Sequence, residues 1–102
     1  IGIKGIQALL TKESPLDAVF CANDTLAIGV MAELKRRKID IPREIAVMGF
    51  DDIYAARFHS PPLSSIHVPK MDLGKEAFKF LVEIIKNPSQ VPQTRVIGAE
   101  CV

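Results

Sequence analysis

The chain has 102 residues, 48% of them hydrophobic and 25% charged, an ordinary globular composition with enough apolar residues for a core. Its formal net charge is +1, so it lacks the clustered positive excess that marks binding to nucleic acid or a membrane surface. No apolar run reaches the roughly 18 residues needed to cross a bilayer.

The two cysteines, Cys21 and Cys101, make no disulfide framework and sit in apolar runs, which suits free thiols in a reducing compartment. The chain opens Ile1-Gly2-Ile3 without an initiator methionine and is expected to be a piece of a longer protein.

Ile3, Ile6, Leu9 and Leu10 recur at helical spacing, which predicts an amphipathic helix to about Glu13, ended by Ser14-Pro15. Asp17 to Ala22 reads as a buried strand. Asn23-Asp24-Thr25 follows at once. All three residue types cap helices by accepting from unpaired N–H groups, and a helical pattern runs from there to about Lys38. Ala27, Val30, Met31 and Leu34 form one apolar stripe of this helix. Ile28 and Ala32, continued by Lys35, form a second, about 100° round from it. One sheet covers one stripe only, so the second needs another helix or a second subunit. Lys35-Arg36-Arg37-Lys38 lies at the helix end, where the dipole favours cations.

Lys38 to Glu44 is a charged connection containing Pro42. Ile45-Ala46-Val47-Met48 is an uncharged run of the kind found in central parallel strands with helices on both faces. Gly49 allows a bend or a close approach, and Asp51 and Asp52 fall just past the strand's end. Ile53 to Phe58 has room for one helical turn, Ser60-Pro61-Pro62 fixes an extended path, and Ser64 to Val68 is a short strand. Pro69 suits the first position of a helix. Lys70 to Lys86 is helical, with Leu73, Ala77, Phe80, Leu81 and Ile84 on one face and Phe78, Val82 and Ile85 on another. Asn87-Pro88 stops it, Ser89 to Gln93 is a loop, and Arg95 to Val102 is a last strand. This alternation predicts an α/β fold, a mainly parallel sheet with helices on both faces.

Six scattered glycines form no phosphate loop, and no CxxC or HExxH spacing is present, so neither a cofactor nor a metal is expected. His59 and His67 are better explained as solvated loop residues than as metal ligands with Asp51. Ser64 or Ser65 with His67 and Asp51 makes a hydrolase on paper, but the GxSxG elbow that exposes such a nucleophile is missing. What remains is one polar cluster. If the strands ending at Ala22 and Phe50 are parallel neighbours, Asn23, Asp24, Asp51 and Asp52 line the carboxyl edge of the sheet, where open α/β sheets bind ligands. Carboxylates accept and an amide both donates and accepts, which suits a ligand rich in hydroxyl or amino groups. The plainer account makes Asp51 a turn cap and Asp52 a solvated charge.

Several of these segments resemble one family. Ala22-Asn23-Asp24 followed by Ala27-Ile28-Gly29 resembles its AND-x-x-A-x-G segment. Ile41-Pro42 followed by Val47-Met48-Gly49-Phe50-Asp51-Asp52 resembles its P-x-D-[IV]-x-V-x-G-[FY]-D-[DN] segment. Ser60-Pro61-Pro62-Leu63-Ser64-Ser65-Ile66 and Leu73-Gly74 match in the same order. Together they resemble the lactose/galactose-repressor family of bacterial transcription regulators. The resemblance implies a periplasmic-binding-protein-like (type I) effector domain of two α/β lobes, of which this is the C-terminal part. It implies a cytoplasmic homodimer, not an enzyme, that meets operator DNA only through an N-terminal helix-turn-helix domain not included here. A periplasmic solute-binding protein of the sugar-transport type, which shares the fold, is the alternative.

By motif, Asn23 and Asp51 are the implied contacts of a small-molecule effector, with Asp24 and Asp52 beside them. The implied dimer surface comprises Ile28, Ala32, Lys35, Tyr54, Ala55, Phe58 and His59. Lys70–Lys86 is implied to belong to the other lobe and Arg95–Val102 to return to this one. Val68 and Lys70 depart from the family pattern, which often has Gln at the position of Val68 and, in members that bind sugars, an aromatic near that of Lys70; these departures argue against a simple sugar effector.

Overall fold

The computed structural model describes residues 1–12, 14–89 and 93–102. Glu13, the expected end of the first helix, and residues 90–92 of the expected loop lie outside the described residues. The described elements are α1 (Gly2–Leu10), β1 (Ala18–Phe20), α2 (Asp24–Arg36), β2 (Ala46–Met48), a 3-10 turn (Tyr54–Phe58), β3 (Ile66–His67), α3 (Lys70–Lys86) and β4 (Glu100–Cys101). The expected order is present. The strands are shorter than expected, and α3 has the bounds read from the sequence.

The chain divides into two compact units, residues 1–67 with 100–102, and residues 68–99. In the first, β1 and β2 pair in parallel with Val19 opposite Val47. Parallel bridges from Met48 to Ser64 and from Asp51 to His67 carry the ladder beyond β2. β4 then pairs antiparallel with β3, Cys101 opposite Ile66. The parallel part is as expected. The antiparallel partner comes from the last segment, of which only Glu100–Cys101 is strand rather than the whole of Arg95–Val102.

α1 and α2 pack together, and their stripes supply Ile6, Ala27, Val30, Met31 and Leu34 to the core, closed by Cys21, Ile45, Val47, Ala56 and Leu63. Burying Leu34 completely is worth roughly 1.5–3 kcal/mol. Gly2 permits the close approach of the helices, since a Cβ there would press on the Leu26 carbonyl. Glu33 ties them further. Its buried carboxylate accepts from Arg36 Nε at 2.8 Å, Arg37 Nε at 2.7 Å and Gln7 Nε2 of α1 at 3.0 Å. Those hydrogen bonds, Arg36's first, hold it well below the usual carboxylate range. Two of the four clustered basic residues are thereby absorbed by the fold. Because strand side chains alternate, Val19 and Val47 face the core while Ala18, Phe20, Ala46 and Met48 face the other way. Phe20 is 63% exposed on that second face.

In the second unit, α3 has no buried residue. Met71, Leu73, Phe78, Leu81, Ile84 and Ile85 are all exposed. Arg95 explains why the segment before β4 is not strand. It binds Glu83 at 2.6 Å and Glu76 at 3.3 Å and lies 4.8 Å above the Phe80 ring, so it is tied to α3 instead of a ladder.

Leaving so many apolar side chains in water forgoes roughly 1.5–3 kcal/mol each, and several together rival the ~5–15 kcal/mol stability of a domain. The 102-residue chain by itself is therefore expected to associate at low micromolar concentration, as read by light scattering. A monodisperse monomer that binds no hydrophobic dye contradicts this.

Candidate functional site

The parallel pairing brings the two carboxyl ends together. Cys21 N–H donates to the Met48 carbonyl at 2.8 Å, and Asp24 N–H to the Phe50 carbonyl at 2.9 Å. Asn23, Asp24, Asp51 and Asp52 thus fall on one edge. Their side chains do different things there.

Asn23 is the N-cap of α2. Its backbone is extended and its Oδ1 accepts the Leu26 N–H at 2.9 Å, taking up one of the unpaired donors of the first turn. The amide NH2 is the end the cap does not use. Asp24, the first residue of α2, has no exposed surface. Its Oδ1 accepts the Ser65 hydroxyl at 2.6 Å and its Oδ2 the Ile53 N–H at 2.7 Å. The helix N-terminus favours a carboxylate there. Gly49 is required beside it, because a Cβ would run into that carboxyl group. Asp24 therefore works inward, holding the turn in place.

Asp51 and Asp52 sit in the left-handed region, with φ of 103° and 49°. For residues other than glycine this costs on the order of 1–3 kcal/mol each and persists where the surroundings enforce it. Three successive N–H groups show how. Asp51 N–H donates to the Ile66 carbonyl at 3.0 Å, Asp52 N–H to Ser65 Oγ at 3.0 Å, and Ile53 N–H to Asp24 Oδ2. The half-buried Asp51 is thereby fixed at the end of the sheet. The Asp52 carboxylate is 4% exposed. It accepts Arg57 Nη2 and His67 Nδ1, each at 2.8 Å. It is a paired charge, not the solvated one of the plainer account. Ser65 bonds Asp24 and Asp52, and His67 bonds Asp52, so the paper hydrolase of serine, His67 and Asp51 is not assembled by these contacts.

Sequence reasoning passed over Arg57 and considered Ser65 only as a nucleophile. Ser65 was one of two interchangeable serines, and only the register against Gly49 and Asp51 selects it. Arg57 lies five positions after Asp52, a spacing that is informative only once the 3-10 turn is known.

The implied dimer residues are placed variously. Ala32, Lys35 and Ala55 are exposed, Ile28 and His59 are half-buried, and Ile28 packs partly on the core. Tyr54 and Phe58 are 79% and 70% exposed, their ring centroids 4.8 Å apart. Ala32, Lys35 and His59 border a groove of about 520 Å³ that also touches Met31, Ile39 and Ile41.

A periplasmic binding protein-like domain model matches residues 2–102. The ribose operon repressor of Haemophilus influenzae is 46% identical over 101 residues, 99% of this chain and 30% of that protein. The HTH-type transcriptional repressor PurR of Vibrio atlanticus is 47% identical over 81 residues, 79% of this chain and 24% of that protein. Among solved structures, a LacI-family regulator from Bacillus cereus subsp. cytotoxis superposes with a TM-score of 0.93 at 25% identity, covering 99% of this chain and 36% of that one. A LacI-family regulator from Enterococcus faecalis with bound ribose gives 0.84 at 26% identity, covering 99% and 37%. The chain belongs to the periplasmic binding protein-like domain family, in the type I form carried by LacI-family transcription regulators. It spans about a third or less of the length of these relatives.

The Arg57 hydrogen bond first, then that of His67, hold the Asp52 carboxyl below its ordinary range against the opposing effect of desolvation. A depressed folded pKa contributes stability above the unfolded value and loses it as pH falls through the folded value. The stability gap between the intact wild-type protein and its Asp52→Asn variant, from urea unfolding, is expected in full at about pH 6 and to shrink below about pH 4, the ordinary aspartate value. A gap that stays constant down to about pH 3 contradicts the ion pairing.

Proposed function

We propose that this chain is the effector-binding and dimerisation part of a bacterial transcription regulator, in which a small polyhydroxylated ligand controls DNA binding. The observation that carries this is the carboxyl edge itself. A half-buried carboxylate, Asp51, is held there in a strained backbone, beside an asparagine whose amide NH2 is left over from capping. An acceptor and a donor at the carboxyl edge of an open α/β sheet suit a hydroxyl-rich molecule. Asp24 and Asp52 support this pair from behind. Relatives named as repressors favour a cytoplasmic regulator over a transport protein or an enzyme. Operator DNA would be met by a domain beyond these residues, as the name HTH-type of one relative suggests. The ribose operon repressor and the ribose-bound neighbour make D-ribose the first effector to test. α3, apolar and uncovered, is assigned to the second lobe of the same domain.

The effector reading is tested by calorimetry of the intact protein with D-ribose. Asn in place of Asp51 keeps a side chain that tolerates a left-handed backbone while removing the charged acceptor. Losing a charged hydrogen bond of about 1.5–3 kcal/mol weakens binding on the order of 10- to 150-fold. Unchanged affinity in a folded Asp51→Asn variant contradicts the assignment.

The dimer is proposed to use the second stripe of α2 and the exposed Tyr54–Phe58 pair. Exposed aromatics at an interface centre commonly carry about 2 kcal/mol or more. A Tyr54→Ser, Phe58→Ser double variant should sediment as monomer at concentrations where wild type is dimeric, with its native circular dichroism retained. A variant that remains dimeric places the interface elsewhere.

A further inference from the structure

We infer that Asp52 is a positioning residue, which latches the Tyr54–Phe58 turn to β3 and so couples that turn to the carboxyl edge at Asp51. The inference rests on the proposed roles of Asp51 and of the Tyr54–Phe58 surface, and extends them to how one is linked to the other.

The backbone from Asp51 to Ile53 is pinned by three acceptors that come from outside it, the Ile66 carbonyl, Ser65 Oγ and Asp24 Oδ2. It cannot shift at one residue without disturbing its neighbours. Asp52 is the middle residue of the three. Its side chain leaves the pinned segment in two directions. Forward along the chain it holds Arg57, at 2.8 Å from Nη2 and 3.4 Å from Nε, inside the 3-10 turn between Tyr54 and Phe58. Sideways it holds His67 Nδ1 at 2.8 Å, at the end of β3. Asp52 Oδ2 is shared between the two donors, and an ionised carboxylate only accepts, so the imidazole nitrogen facing it carries a proton.

Among the described residues the turn has few other ties. Ala56 N–H reaches the Ile53 carbonyl at 3.0 Å, Leu63 N–H reaches the Ala56 carbonyl at 3.1 Å, and Ala56 is its only buried residue. Within the single chain Tyr54 and Phe58 are exposed and pack against each other. The carboxylate of Asp52 is thus a charged link that reaches the turn from the pinned segment. A ligand that draws on Asp51 acts on a backbone whose next residue carries the latch. Coupling between two sites through such a link typically changes affinity or protection by roughly 5- to 150-fold.

The test is hydrogen–deuterium exchange of peptides covering Ile53 to His59 in the intact protein, for wild type, Arg57→Gln and His67→Gln, without ligand and with saturating D-ribose. Arg57 is 64% exposed, so Gln there leaves the fold intact. Without ligand, Arg57→Gln is expected to speed exchange of this segment several-fold over wild type while leaving α1 and α2 unchanged. Unchanged exchange in the segment overturns the latch. With D-ribose, wild type is expected to alter exchange in the segment, and Arg57→Gln to keep ribose affinity while losing that response. Retention of the full response in both variants overturns the coupling, as does loss of ribose affinity in Arg57→Gln, which would make Arg57 part of the binding site. Rescue of the response by Arg57→Lys, which restores a cation facing Asp52, separates the latch from a general loosening. If wild type does not bind D-ribose, the choice of effector fails, and the ligand-free comparison still decides the latch.

Discussion

A carboxyl group without exposed surface, that of Asp24, fixes the carboxyl edge of the sheet. Leaving a buried donor or acceptor unpaired costs on the order of 1–3 kcal/mol, more for a charged group. Asp24 can be buried because both oxygens are engaged, by the Ser65 hydroxyl and the Ile53 N–H, and because Gly49 leaves room for it. These contacts join α2, the segment beyond β2 and the segment before β3. Without them the Asp51–Asp52 backbone would have less to hold it in the left-handed region. The buried polar network at the base of the edge is fully satisfied among the described residues, and a satisfied network specifies one arrangement.

The four polar residues that one strand-end pattern brings together divide into two layers. Asn23 and Asp51 lie at the edge and are the proposed ligand contacts. Asp24 and Asp52 serve the protein, one holding the backbone from beneath and the other tying it to Arg57 and His67. Composition alone could not separate them. All four are short polar residues at the ends of parallel strands, and the difference lies in which oxygen meets which N–H.

Much of the fold was legible. The helical period of α3 with Pro69 before it and Asn87-Pro88 after it set both its ends, and the cap-forming run Asn23-Asp24-Thr25 located the start of α2 to within a residue or two. The apolar run before Asp51 marked β2 as a parallel strand. The cluster at the edge was legible too, since it needed only two strand ends side by side. What was not legible depended on contacts between residues far apart in sequence. Arg95 reads as strand until Glu76, Glu83 and Phe80 are seen to hold it. Ser65 reads as interchangeable with Ser64 until the ladder places its hydroxyl on Asp24. The second stripe of α2 was found from periodicity, yet its half-buried Ile28 and exposed Ala32 and Lys35 show that its width, not its partner, was what the pattern contained.

The central claim is that Asp51 and Asn23 receive a hydroxyl-rich effector while Asp24 and Asp52 hold them in place. A crystal structure of the intact protein with D-ribose tests it most directly. Sugar hydroxyls are expected within hydrogen-bond distance of the Asp51 carboxylate and the Asn23 amide nitrogen, with Asp24 still on Ser65 and Asp52 still on Arg57 and His67. A sugar bound away from this edge, or one met by a rotated Asp52 that has released Arg57, contradicts it.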